Sequence, residues 1–156
     1  MSTATSNLYL EANETSTWWA ADLQHTGQWQ HALGSEELAE LALATEQALN
    51  NGLEVGHFGR ESFPLPTLGP RIERIVDQVE NGVGFAVLHG VPVDDYDETA
   101  LKTLYWGLGG YTGEVISQNS KGQLLAEVSD RGNAYGDRNT RGFSTNAELS
   151  PHVDTS

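Results

Sequence analysis

Apolar residues recur at helical spacing in three stretches of the chain, and strand-like spacing takes over towards its end. Leu38, Leu41, Ala42, Thr45 and Leu49 follow at intervals that place them on one side of a helix. Ser35 stands where an N-cap is needed, Glu36 and Glu37 fall in the positive first turn, and Asn50, Asn51 and Gly52 stop the run. A helix from Ser35 to Asn50 is therefore predicted. Pro70 suits the first turn of a second helix reaching Asn81, with Ile72, Ile75, Val76 and Val79 as its buried stripe. Asp95 and Glu98 have capping-box spacing for a third, from Asp97 to Leu108. Along it Ala100, Leu101, Leu104, Tyr105 and Leu108 share one side. Between the first two helices, Gly52 to Gly69 reads as a loop, because Pro64 and Pro66 interrupt it.

The segment GFAVLHGV, Gly84 to Val91, is apolar on both faces, which predicts a central strand instead of an edge. QLLAEVSD, Gln123 to Asp130, puts Leu124, Ala126 and Val128 on one face of a second strand. A glycine- and arginine-rich loop then leads into FSTNAELSPHVD. Helices first and strands later make an α+β layout whose sheet is only beginning as the sequence closes. Residues 1–16 are polar and read as a flexible N-terminus, and residues 17–156 as part of a single domain. Trp18, Trp19 and Trp29 fit core or lid packing better than an aromatic cage.

Charge narrows the partners. There are 22 acidic residues against 8 basic, a formal net charge of -14. Such a surface repels nucleic-acid phosphates and anionic lipid heads, so neither is expected as a partner. The chain has no cysteine, which excludes a disulfide framework, a Cys-based zinc site and a thiol nucleophile. Its N-terminus has the basic and apolar regions of neither a signal peptide nor a spanning segment, and a cytoplasmic location is the default expectation.

The candidate chemistry lies in ELSPHVDTS, Glu148 to Ser156. In a strand, residues two apart share a face, so His152 and Asp154 would present an imidazole nitrogen and a carboxylate oxygen side by side. This pair suits a borderline divalent metal, and one further histidine would complete the facial triad of non-haem iron. Spacing alone leaves other readings open. The chain could be a non-catalytic acidic binding module without a metal site, or a hydrolytic protein using another ion. His25, His31 and His57 sit in polar stretches and are expected to be exposed, while His89, on a strand face with Phe85, Val87 and Val91, reads as a hydrogen-bonded structural histidine. Arg131, Arg138 and Arg141 cluster ahead of the pair, either as solvated loop residues or as attractors of an anionic ligand. Thr145 and Asn146 are candidates for a pocket mouth.

Three segments carry a resemblance to a known family. They are GPRIERIVDQVENGVGFAVLHGVPVDDY, the helix DETALKTLYWGLG with the strand ending near SDRG, and RGFSTNAELSPHVDTS. Together they resemble the N-terminal portion of the TauD/TfdA family of Fe(II)- and 2-oxoglutarate-dependent dioxygenases. The resemblance implies a double-stranded β-helix, the jelly-roll of clavaminate synthase-like enzymes, flanked by N-terminal helices and incomplete here. It implies His152 and Asp154 as iron ligands, Fe(II) and 2-oxoglutarate as cofactors, and a small-molecule substrate and dioxygen as partners. The expected reaction hydroxylates the substrate while 2-oxoglutarate is oxidatively decarboxylated. The family places its distal histidine and its 2-oxoglutarate-binding arginine further along, and only two residues follow Asp154. The expectation is therefore a fragment, inactive by itself, with no acid–base catalytic residue assigned and no oligomeric state.

Overall fold

In the computed structural model, residues 17–117, 122–126, 128–129, 132 and 148 are described. The chain divides into two compact units, residues 1–115 and 116–156. The first contains, in order, α1 (Ala20–Thr26), β1 (Gln30–Ala32), α2 (Ser35–Asn50), a 3-10 turn (Arg60–Ser62), α3 (Leu68–Asn81), β2 (Val87–His89), a 3-10 turn (Val93–Asp95) and α4 (Glu98–Gly109). Among the described residues this is a mixed fold of helices with one two-stranded parallel sheet, in the register Gln30–Val87, His31–Leu88 and Ala32–His89. No helix among the described residues is long and apolar enough to cross a membrane.

The three long helices stand where periodicity predicts them, with differences at their starts and faces. Ser35 lies inside α2 and Gly34 holds the cap position; the Glu37 carboxylate accepts the Gly34 N–H at 2.9 Å, in the manner of a capping-box glutamate. The buried line of α2 is Glu37, Leu41, Ala44, Thr45 and Ala48, so the stripe is turned away from Ala42 and Leu49, which are exposed. α4 is capped by Asp97, whose carboxylate accepts the Ala100 N–H at 2.8 Å; Asp95 belongs to the preceding turn. There Thr103, Leu104 and Gly107 are buried and Tyr105 points outward. The reason is common to both helices. Small residues make room for what packs on these faces (Ala44 and Ala48 on α2, Gly107 on α4 beneath the Phe63 ring), and periodicity alone does not weigh that against the size of an apolar neighbour.

The proline-interrupted segment is a loop by hydrogen bonding and core by burial. Phe63, Leu65 and Leu68 are almost wholly inaccessible, while Pro64 and Pro66 between them are exposed. The segment alternates like a strand, but proline lacks the N–H a sheet ladder would use. Tyr111 stands in for a neighbouring strand: its hydroxyl accepts the Leu65 N–H and donates to the Phe63 carbonyl, each at 2.9 Å. Trp106 in α4 donates its indole N–H to the Phe58 carbonyl at 2.8 Å. Leu33, Leu41, Ala44, Ala48, Ile72 and Leu104 close the core around Phe63. Thr45 and Thr103, buried within it, bond back to the carbonyls of Leu41 and Thr99.

Two strand expectations are corrected. The run from Gly84 to Val91 contributes only the three residues of β2, and its one partner among the described residues is β1, itself not predicted. Val87 is 43% exposed, so β2 is not the doubly covered central strand expected. Gly84 and Gly90 bracket it with positive φ of 86° and 104°, and this ends the extended run at both sides. The His89 side chain is correspondingly exposed and has no hydrogen-bond partner among the described residues. In the second unit, the described part of Gln123–Asp130 forms no strand. Leu124 and Leu125 stand in a bend, and alternation alone does not supply a ladder partner. The jelly-roll expected from the resemblance is not seen among the described residues. Trp18 and Trp29 pack their rings against Phe85 at 5.4 and 5.5 Å, which agrees with a packing role.

Candidate functional site

His152 and Asp154, the expected metal ligands, lie outside the described residues, as do Arg131, Arg138, Arg141, Thr145 and Asn146. Among the described residues no group of three histidine, aspartate or glutamate side chains is placed to hold a metal. His25, His57 and His89 are exposed, and His31 is half-buried on β1. The N-terminal unit therefore holds no metal centre of its own among the described residues.

What it does hold is a helix with two chemically different flanks. Successive residues of α3 turn by about 100°, so Arg71, Arg74, Ile75 and Gln78 fall on one side and Glu73, Asp77 and Glu80 on another. The basic flank faces β1, and with His31 it lines a cleft of about 210 Å³. The acidic flank borders a larger cleft of about 410 Å³, lined among others by Arg60, Glu73, Glu80, Tyr111 and Glu114. Arg60 pairs with Glu73 there at 2.8 Å, across an exposed surface.

The basic cleft is anchored from beneath. Arg71 donates one guanidinium nitrogen to the Glu37 carboxylate and another to the Ala32 carbonyl at 3.0 Å. The Arg71 hydrogen bond, followed by that of the Gly34 N–H, holds the Glu37 carboxyl below the usual glutamate range. Glu98, exposed on α4, is lowered by its hydrogen bond from Lys102. Glu40, one turn beyond Glu37, accepts the N–H groups of Thr67 and Leu68, both at 2.7 Å, and so caps α3 from another helix. The Thr67 hydroxyl makes no such cap. The sequence marks Glu37 only as a first-turn acid of its helix and marks none of Glu40, Arg71 and Tyr111. The segregation of Arg71, Arg74 and Gln78 along α3 was legible as an i, i+3, i+7 pattern; their meeting with His31 was not.

Over 140 residues, 89% of its length, the chain is 29% identical to the FR-33289 synthase of Streptomyces rubellomurinus, and it covers 41% of that protein. Over 99 residues, 63% of its length, it is 26% identical to a taurine hydroxylase-like protein of Stachybotrys chartarum, of which it covers 26%. The chain thus spans less than half the length of either relative. No family model matches it. Both relatives bear the names of enzymes, and the similarity points, at low identity, to a TauD-like oxidoreductase relationship.

Proposed function

We propose that the chain is the N-terminal part of an Fe(II)- and 2-oxoglutarate-dependent dioxygenase that hydroxylates a small molecule. The observation that carries this reading is a His-x-Asp pair in a chain similar over 89% of its length to a synthase, and over 63% to a taurine hydroxylase-like protein. The donor chemistry fits the metal. His152 offers a neutral imidazole nitrogen and Asp154 an anionic oxygen, a mixed set that suits a borderline divalent ion. With one carboxylate against two positive charges, the ion retains a charge that attracts a chelating 2-oxo acid. Bound iron and 2-oxoglutarate would supply dioxygen activation coupled to decarboxylation. The role of His152 and Asp154 is to hold the ion and fix its charge, and neither need move a proton. Residues outside this stretch complete the ligand set.

The test uses the protein at its full natural length, supplied with Fe(II) and 2-oxoglutarate anaerobically and then with dioxygen. The chelate should show a weak visible charge-transfer band, and oxygen should release succinate. His152→Ala and Asp154→Ala should each remove both signals. A band and turnover unchanged in the two variants would refute the ligand assignment.

A further inference from the structure

We propose that the cleft between β1 and α3 binds a small soluble oxyanion through Arg74, Gln78 and His31. This rests on the geometry of the N-terminal unit and not on the dioxygenase reading. Four basic residues lie among the described residues: Arg60, Arg71, Arg74 and Lys102. Arg60, Arg71 and Lys102 each face a carboxylate, those of Glu73, Glu37 and Glu98. Arg74 differs. Its Nε donates to the Pro70 carbonyl at 3.2 Å, and among the described residues no carboxylate faces its two terminal nitrogens. In a chain of net charge -14, Arg74 is the exception among these four described basic residues.

Its surroundings add donors, and the Glu37 carboxylate behind Arg71 is already taken up by Arg71 and the Gly34 N–H. The cleft is lined by His31, Arg71, Arg74, Ile75 and Gln78, and no carboxylate is among them. Glu73, Asp77 and Glu80 lie on the other side of α3. The bond of Arg74 to Pro70 holds its side chain along the helix, and the two bonds of Arg71 hold that guanidinium at the cleft floor. The planar fork of Arg74, the Gln78 amide and a His31 ring nitrogen can all donate to oxygen. The cleft volume, about 210 Å³, equals roughly seven waters at about 30 Å³ each. That is room for a phosphate-sized group with part of its hydration. The overall negative field opposes any anion that lacks such local contacts, which makes the site selective for ligands small enough to enter it.

The probe is inorganic phosphate, titrated into the 156-residue chain at constant ionic strength set with chloride, and followed by heteronuclear NMR of the His31 ring and Arg74 side-chain signals. Both should shift saturably. Arg74→Ala and Arg74→Gln should each weaken the apparent affinity about tenfold, the loss expected for a charge-assisted hydrogen bond. Gln78→Ala should weaken it less, and Arg60→Ala, on the opposite flank, should leave it unchanged. The three side chains replaced, Arg74, Gln78 and Arg60, are exposed, so the fold should survive, with circular dichroism as the check. A non-saturating shift, the same shift from chloride alone, or a wild-type titration in either Arg74 variant would overturn the proposal. So would co-sedimentation of the chain with anionic lipid vesicles through Arg74, which would assign the cleft to a membrane surface.

Discussion

Replacing Gly107 with alanine should destabilise the N-terminal unit by about 2 kcal/mol, even though alanine is the better helix former. Gly107 lies inside α4, and a β-carbon there would stand 2.5 Å from Cγ and Cδ1 of Phe63 and 2.6 Å from Cδ2. Favourable carbon–carbon separation is about 3.5–4.0 Å, so the methyl group strikes the ring broadside. The ring has little room to retreat, because Phe63 is fully buried and stacks on Phe58 with centroids 6.1 Å apart. Overpacking of this kind costs about 1–3 kcal/mol, and three close contacts put it at the upper end. Helix propensity returns about 1 kcal/mol, which leaves the net near 2. The decisive measurement is a double-mutant cycle by urea unfolding, followed by tryptophan fluorescence. Phe63→Ala alone should cost about 3–5 kcal/mol. In that background Gly107→Ala should change sign and stabilise, because the obstacle is gone and the propensity gain remains. A neutral or stabilising Gly107→Ala in the parent chain, or an equal effect in both backgrounds, would refute the argument.

Two further outcomes follow from the polar contacts of α2. Glu40→Ala should cost about 2 kcal/mol in thermal unfolding, since two N–H groups at the start of α3 lose a charged acceptor; a loss under about 0.5 kcal/mol would mean that water replaces it freely. Glu37 has a folded-state pKa below its ordinary value, so its ion-pair contribution should be complete above about pH 4.5 and vanish as pH falls through the folded value. The stability gap between the parent chain and Glu37→Gln should accordingly be constant near neutrality and close in acid, and a gap that persists at the lowest pH would exclude that linkage.

Local signals determined much of the helical framework. The spacing of Ile72, Ile75 and Val76, with Pro70 in the first turn, marks α3, and Asn50, Asn51 and Gly52 mark the end of α2, because helix periodicity and its stop residues act within a few residues of chain. The same holds for the chemistry of the His-x-Asp pair, whose donor types are readable without any fold. Contacts between distant residues were decided by tertiary structure alone. Phe63 and Leu65 look like loop residues until Tyr111, 46 positions beyond Leu65, satisfies the backbone that the prolines keep out of a sheet. The apolar run at Gly84–Val91 looks like a central strand, yet its burial depends on how many strands lie beside it, and β1 is the one found among the described residues. Glu37 and Arg71, 34 positions apart, look like two solvated charges; only the packing of α2 on α3 brings them into contact, while Arg74 meets no acid among the described residues. A pattern along the chain fixes which way a side chain can point, and the free energy of what it meets there belongs to the assembled fold.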